Sequence, residues 1–118
     1  MDGAGHESRL KSLYEAFNRR DIEAALAGLH PDVDWPNGME GGREVGWAAV
    51  RAYWTRQFAM IDSRVTPLAF HAEPDGRLAV EVSQIVRGPD GGLLSDGVVE
   101  HIYTFEGGLV RSMEIRKL

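Results

Sequence analysis

The sequence contains no cysteine. This absence excludes a disulfide framework, a thiolate nucleophile and a zinc site built on thiolate ligands. No apolar run approaches the roughly 18 residues that a membrane-spanning helix requires. The first ten residues, MDGAGHESRL, lack the basic start and the apolar centre of a secretory signal peptide. These absences together predict a cytoplasmic protein that does not associate with a membrane.

Clustered positive charge is also missing. Thirteen Lys and Arg face eighteen Asp and Glu, which gives a net charge of −5, and apart from Arg19-Arg20 the basic residues are scattered singly. Binding to nucleic acid or to an anionic membrane depends on clustered cations, so we expect neither partner. No His-x-His, His-Glu-x-x-His or paired carboxylate spacing occurs, so we expect no metal site and no cofactor.

What the sequence does contain is typical of one globular α+β domain. It has 118 residues, 43% of them apolar, which is enough for a single core. We therefore assign residues 1–118 to one domain and expect residues 1–6 to be disordered. Apolar residues at spacings of three and four predict three helices, over residues 7–18, 22–29 and 47–61. Asp21 stands where the N-cap of the second helix belongs.

The second half of the chain has the alternating pattern of strands. A short strand at 33–36 precedes a glycine-rich loop, and after Ser63 three turn signals, at 73–76, 88–92 and 106–108, divide the chain into four further strands. The third of these four strands is apolar on both faces, with Val98, Ile102 and Thr104 on the outer one. A strand of this kind needs a cover on both sides, so a homodimer through the outer face is expected.

The register of the last hairpin is predicted from its apolar residues. A three-residue loop, Glu106 to Gly108, matches apolar residues across the two strands and places His101 and Tyr103 on the inner face. The expected pairs are Phe105 with Leu109, Tyr103 with Arg111, His101 with Met113 and Val99 with Ile115. A two-residue loop would turn Met113 and Ile115 to the opposite face.

The order of these elements resembles the nuclear transport factor 2-like superfamily, in its ketosteroid isomerase and polyketide cyclase-like (SnoaL-like) branch. Three segments carry the resemblance: LYEAFNRRDIEAALAGLHPDVDW, GWAAVRAYW and HIYTFEGGLVRSMEI. It implies a cone in which a curved, mixed and mostly antiparallel sheet wraps around three helices, as in a cystatin-like roll. It also implies a small-molecule pocket inside the cone, often in a dimer. The fold hosts unrelated activities, so the resemblance alone does not fix the function.

The resemblance also indicates where catalytic groups would lie. Matching the proline after the family's carboxylate base to Pro36 places Trp35 at the position of the base. Matching Asn18 and Asp21 places Leu13 at the position of a phenolic donor, and the second, acidic donor falls on His101. All three positions differ from ketosteroid isomerase, so its mechanism is not carried over.

Several side chains remain candidates for the site. His101 is a general acid or base, a hydrogen-bond donor to a ligand, or a buried histidine satisfied by a neighbour such as Tyr103 or Gln84. Asp34 is a second candidate base, although on a regular strand it points away from Val33 and Trp35. The ligand-binding residues that we predict are Trp35, Asn37, Trp54, Phe58, Gln84, Tyr103, Arg111 and Met113.

The leading hypothesis is a pocket protein that acts as an isomerase, cyclase, hydratase or hydrolase on a small apolar or aromatic, oxygenated substrate. Aromatic walls would bind the hydrocarbon, while His101, Tyr103 and Gln84 would contact an oxygen. One alternative is a ligand-binding domain without turnover, which the tryptophan at the position of the base favours. The other is a dimeric protein-interaction domain that uses the outer face of the sheet.

Overall fold

A computed structural model describes residues 3–117, and the side chains of residues 5–117. Three helices and six strands follow one another in the order α1 (Gly3–Asn18), α2 (Ile22–Leu26), β1 (Leu29–Pro36), β2 (Arg43–Val45), α3 (Trp47–Met60), β3 (Asp62–Ala72), β4 (Leu78–Arg87), β5 (Leu93–Glu106) and β6 (Leu109–Lys117). In this described part, no helix has both the length and the apolar character that crossing a membrane requires.

The six strands form a single curved sheet in the order β2-β1-β6-β5-β4-β3. β1 and β6 pair in parallel, and every other neighbouring pair is antiparallel. Helix α1 packs on β3 and on α2, and α3 packs on β1 and β2. The predicted α+β fold, a mixed curved sheet around three helices, is therefore confirmed.

The first helix is longer than its apolar pattern indicates. α1 begins at Gly3, so the structure has residues 3–6, which we expected to be disordered, as the first part of this helix, while residues 1–2 lie outside the described part. A contact explains the extension, because the ring of His6 stacks on Phe105 of β5 with centroids 3.8 Å apart. The predicted N-cap of α2 is confirmed, since the Asp21 carboxylate accepts a hydrogen bond from the Ala24 amide at 3.1 Å.

A short strand occupies part of the segment that we predicted as a glycine-rich loop. The three residues of β2 pair with the end of β1, Asp34 opposite Val45 and Pro36 opposite Arg43. The turn between them depends on Asn37, whose side-chain oxygen accepts hydrogen bonds from the backbone amides of Met39 and Glu40. Three residues are too few to show an alternating pattern, which is why the sequence does not reveal β2.

The last hairpin differs from the prediction in its loop. The loop has two residues, Gly107 and Gly108, and Glu106 pairs with Leu109. Both glycines have positive φ, 60° and 79°, which is the backbone of a type I′ turn. The three-residue loop and the pair of Phe105 with Leu109 were therefore wrong.

A β-bulge compensates for the shorter loop. Thr104 pairs with Ser112 and Phe105 with Val110, which leaves Arg111 as the extra residue of β6. Beyond the bulge, each residue of β5 lies opposite a residue of β6 that is two positions later than predicted. The predicted pairs were wrong, but a shift of two preserves the face. The observed pairs are Tyr103 with Met113, His101 with Ile115 and Val99 with Lys117.

The outer face of the sheet also requires a correction. We expected Val98, Ile102 and Thr104 to be exposed, and Val98 and Thr104 are, but Ile102 is only 3% exposed. Ile102 lies in a central strand, between Ala79 of β4 and Glu114 of β6. Ile102 is therefore buried within a single chain, without a second copy.

Candidate functional site

A cavity of about 640 Å³ lies between the helices and the concave face of the sheet. That volume is within the usual range for small-molecule sites. Its wall is mostly aromatic and aliphatic and is formed by Leu13, Tyr14, Phe17, Trp35, Pro36, Gly38, Met39, Tyr53, Trp54, Gln57, Ile61, Ser63, Val65, Gln84, Val86, Ser95, Val99, His101, Tyr103, Met113, Ile115 and Lys117. Among the described residues, none of those that line this cavity is an Asp or a Glu.

The alternation of β5 directs His101 and Tyr103 into the cavity. His101 is 7% exposed and Tyr103 is fully buried. On the neighbouring strands, His101 lies opposite Val80 and Ile115, and Tyr103 lies opposite Leu78 and Met113. These directly opposed neighbours are all apolar, and the charged residue of β6 on this face is Lys117, opposite Val99.

A third polar side chain joins these two from helix α1. The hydroxyl of Tyr103 donates to the hydroxyl of Tyr14 at 2.7 Å, and the Tyr14 hydroxyl lies 2.9 Å from Nδ1 of His101. Because Tyr14 accepts from Tyr103, its own proton is free to be donated to Nδ1, and in that arrangement the imidazole proton is on Nε2. Among the residues that the structure describes, Nε2 has no hydrogen-bond partner. The set Tyr14, His101 and Tyr103 is called the Tyr–His–Tyr cluster below.

All three members of the cluster are uncharged at neutral pH, and burial shifts each pKa further from neutral. Desolvation lowers the pKa of His101 to about 4, which disfavours the imidazolium. The pKa of Tyr14 is raised well above its ordinary value, first by burial and then by the neighbouring Tyr103. Burial also raises the pKa of Tyr103, and the hydrogen bond with Tyr14 opposes this only in part. The cluster therefore offers one free and neutral hydrogen-bond donor, the Nε2–H of His101.

Sequence reasoning did not identify Tyr14 as a site residue. The resemblance placed the phenolic donor at Leu13, which is buried and lines the cavity without a polar atom. The next residue along the helix, Tyr14, brings a phenol into the cavity. Its position in the apolar stripe of α1 concealed this role, although a buried tyrosine hydroxyl usually has a hydrogen-bond partner.

Trp35, Trp54, Tyr103, Met113 and Gln84, which we predicted as ligand-binding residues, line the cavity. The rings of Trp35 and Trp54 meet edge to face with centroids 5.5 Å apart, and Trp35 lies 6.5 Å from the ring of Tyr103. Trp35 therefore occupies the position that the resemblance gives to a carboxylate base, and apolar surface replaces the base there.

A second set of polar side chains lines the cavity where α3 ends and β3 begins. Gln57 is 8% exposed and Ser63 is 1% exposed, and both belong to the cavity wall. Within residues 5–117, Gln57 Oε1 and Ser63 Oγ have no hydrogen-bond partner. Sequence reasoning missed both residues, and the available signal was a glutamine within the apolar stripe of α3.

Two polar candidates lie away from the cavity wall. Asp34 is on the other face of β1, where its carboxylate binds Nε of Arg43 at 2.8 Å. The alternation of Val33, Asp34 and Trp35 is the reason, so the structure does not support Asp34 as a base. Asn37 is buried in its turn, and its amide nitrogen donates to Glu40 at 3.0 Å and to Glu44 at 2.8 Å.

Phe58 and Arg111 are also absent from the cavity wall. Phe58 contacts Phe17, which does line the cavity, and the guanidinium of Arg20 lies 4.6 Å from its ring. Arg111 is the bulge residue of β6, and its side chain turns to Glu106 and to the carbonyl of Asp32. The structure therefore places Asn37, Phe58 and Arg111 outside the cavity wall, and a role for them in ligand binding stays a prediction. Within residues 5–117, no three His, Asp or Glu side chains converge as metal ligands would.

Comparison with known structures agrees with this geometry. An NTF2-like protein of unknown function from Burkholderia pseudomallei K96243 is 29% identical, with a TM-score of 0.83 over 97% of this chain and 91% of that one. TerC, crystallised with polyporic acid, is 27% identical, with a TM-score of 0.82 over 97% of this chain and 92% of that one. A candidate polyketide cyclase from Xanthomonas campestris pv. campestris shares the fold at 22% identity, with a TM-score of 0.84 over 98% of this chain and 91% of that one.

No protein with a curated description matches the chain. The family model of the SnoaL-like domain, in contrast, matches residues 10–113, which is most of the sequence. The match includes the helix that carries Tyr14 and the strands that carry His101 and Met113. The chain therefore belongs to the family of SnoaL-like domains.

Proposed function

We propose that this protein binds a small apolar, oxygenated molecule in the cavity and promotes its rearrangement, as an isomerase or cyclase does, by polarising one oxygen of that molecule. The observation that carries this proposal is the Tyr–His–Tyr cluster, which is neutral and lies within an aromatic wall. The aromatic rings supply contact area for a hydrocarbon skeleton. The imidazole Nε2–H supplies a donor for a carbonyl or phenolic oxygen.

The chemistry follows from the neutrality of the cluster. A donor that is already oriented in a cavity of low polarity stabilises negative charge that develops on a carbonyl oxygen. The donor keeps its proton, because the N–H of a neutral imidazole is a very weak acid, and the neighbouring Tyr14 and Tyr103 also stay neutral. Proton removal from carbon would then depend on solvent or on the substrate itself, because no carboxylate lines the cavity within the described residues.

A second candidate function, ligand binding without turnover, is favoured by the same absence of a carboxylate. A general base is most effective when its pKa is near the working pH, and the pKa of His101 is about 4. At neutral pH His101 is therefore unprotonated but a weak base. The two candidates share one binding site and differ only in whether the bound molecule reacts.

Binding is tested with polyporic acid, chosen because the similar protein TerC was crystallised with it. Quenching of the fluorescence of Trp35 and Trp54 reports occupancy of the cavity. Tyr14→Phe removes the hydroxyl that orients His101 and should weaken binding about 10-fold. Thr104→Ala, on the exposed outer face, is the control and should bind like the wild type. Equal affinity of the wild type and Tyr14→Phe would contradict a role for the cluster.

Turnover is tested with 2-tetralone, an apolar ketone whose hydrogens next to the carbonyl exchange when that carbonyl is polarised. Proton NMR in deuterium oxide measures the exchange rate with and without protein. An enzyme should accelerate exchange above buffer, and Tyr14→Phe should lose most of the acceleration. Saturable binding without acceleration would favour the function without turnover.

The homodimer and the cytoplasmic location stay predictions. Exposed apolar side chains on the outer face of β5, Leu94 at 64% and Val98 at 45%, support a dimer through this part of the sheet. Because Ile102 is buried within one chain, Val98→Glu is the better test. Sedimentation at tens of micromolar should show a dimer for the wild type and a shift to monomer for the variant. A monomeric wild type would contradict the dimer.

A further inference from the structure

We propose that Gln57 and Ser63 form a second polar subsite, which binds a hydroxyl group of the ligand at the end of the cavity remote from the Tyr–His–Tyr cluster. The inference rests on the proposed function, because it concerns the other end of the same bound molecule. It restricts the expected class of ligand to molecules with an elongated apolar skeleton and an oxygen at each end.

The two side chains lack the hydrogen bonds that buried polar groups normally make. Ser63 is 1% exposed and Gln57 is 8% exposed. Neither Gln57 Oε1 nor Ser63 Oγ has a partner among residues 5–117. A buried polar atom without a partner lowers the stability of the folded protein, so such atoms are few and usually have a reason. Both residues belong to the cavity wall, although the two oxygens themselves are buried, so a change of side-chain rotamer would bring them into contact with a ligand.

The position of Ser63 separates this subsite from the cluster. On the shared strand β4, Ser63 lies opposite Val86 and His101 lies opposite Val80. Six residues of extended strand correspond to about 20 Å of backbone. Side chains that extend inward from both places shorten that gap. The cavity, about 640 Å³ in volume, extends to both positions.

The chemistry of the two groups favours a hydroxyl. The amide oxygen of Gln57 only accepts a hydrogen bond, whereas the hydroxyl of Ser63 both donates and accepts. A ligand hydroxyl can donate to the first and exchange a hydrogen bond with the second. An apolar end would leave both groups unsatisfied, as they are without ligand.

The first test needs no ligand. If Gln57 Oε1 and Ser63 Oγ gain hydrogen-bond partners only when a ligand binds, then removing them should not destabilise the protein without ligand. Ser63→Ala and Gln57→Leu should therefore keep or raise the melting temperature, by a few degrees for the double variant. Ser112→Ala, on the outer face, is the control and should leave it unchanged. A clear fall in melting temperature would show that both groups are satisfied in the empty protein, for instance by buried water, and would overturn the proposal.

The second test uses a matched pair of probes, estradiol and its analogue without the 17-hydroxyl. Wild-type protein should bind estradiol about 10-fold more tightly than the analogue. The Gln57→Leu/Ser63→Ala variant should lose this preference and bind the analogue as the wild type does. Tyr14→Phe should weaken the binding of both probes and keep the preference.

The outcomes separate the two proposals. If wild-type protein binds both probes with equal affinity, the second subsite is refuted and the proposed function stands. If it binds neither probe, the proposed function fails for elongated hydroxylated molecules, and the second subsite fails with it. A preference that the double variant retains would refute the assignment to Gln57 and Ser63 alone.

Discussion

The buried titratable groups on the two faces of β5 have different hydrogen-bond partners. On the outer face, Glu100 is 8% exposed and accepts a hydrogen bond from Nε of Arg116 at 2.6 Å. On the inner face, the adjacent residue His101 is 7% exposed and meets only the neutral hydroxyl of Tyr14. Glu100 thus has a charged partner and His101 has none, and burial without a charged partner favours the neutral imidazole. The outer face therefore holds a structural ion pair, and the inner face holds neutral groups that a ligand can approach.

The largest expected effect is on the pH dependence of stability. The pKa of His101 is about 4 when folded and about 6.5 when unfolded, so the unfolded chain binds a proton first as pH falls. The contribution of His101 to stability is complete above pH 6.5 and is lost as pH falls from 6.5 towards 4, by about 3 kcal/mol. Urea unfolding at pH 7 and pH 4.5 measures this loss, which should be smaller in His101→Gln.

His71→Gln is the matched control for this comparison. His71 is exposed on β3 and contacts the Glu81 carboxylate at 3.0 Å. Its replacement should leave most of the acid sensitivity in place. Equal acid sensitivity in the wild type and in His101→Gln would show that His101 is not held neutral by burial.

A smaller effect is expected from breaking the ion pair on the outer face. Arg116→Met leaves Glu100 buried without its cation and should cost about 1 to 2 kcal/mol at pH 7. The cost is below that of a fully buried pair because the Arg116 side chain is 48% exposed. Urea unfolding measures it, and the double variant Glu100→Gln/Arg116→Met should recover part of the loss.

Arg77→Met provides the control for this ion pair. Arg77 binds Asp75 at 2.8 Å within an exposed turn, where solvent screens the pair, so its loss should cost less stability than the loss of Arg116. If Arg116→Met costs no more than Arg77→Met, the contrast between the two faces of β5 does not extend to stability.

The smallest effect is expected from Tyr103→Phe, which separates burial from hydrogen bonding within the cluster. The variant removes the donor to the Tyr14 hydroxyl and should cost about 0.5 to 1 kcal/mol in urea unfolding. The pKa of His101 should stay low, because burial is its cause. Titration by NMR checks this, and a return of the His101 pKa towards 6.5 would show that the tyrosines, rather than burial, hold it down.

How much of the site the sequence predicts depends on the strength of the local pattern. The alternation over β5 is long and clear, so His101 and Tyr103 could be placed in the cavity. The hairpin loop could not be predicted, because a two-residue turn with a bulge and a three-residue turn give the same faces. Because of this ambiguity, the sequence does not indicate where the Arg111 side chain lies. In the structure Arg111 is the bulge residue, and its side chain contacts Glu106.

The helices show a second limit of prediction from sequence, which concerns the partners of buried polar atoms. A helical pattern shows which residues face the interior, but it does not show which interior polar atoms have partners. Tyr14 and Gln57 both lie on buried stripes, and only the structure shows that Tyr14 is hydrogen-bonded while Gln57 Oε1 is not. The burial of Ile102 likewise depends on the place of β5 within the sheet, which involves strands far away in the sequence.

The order of the strands has a consequence for how the chain folds during synthesis. β6, residues 109–117, lies between β1 and β5 and provides the link between the first two strands and the rest of the sheet. The ribosome makes this strand after all the other described ones, so β1 and β5 each keep an unpaired edge until then. Pairing of β1 with β6 closes a loop of more than seventy residues, which is a slow kind of step. A nascent chain paused before β6 therefore exposes two sheet edges that can pair with other chains.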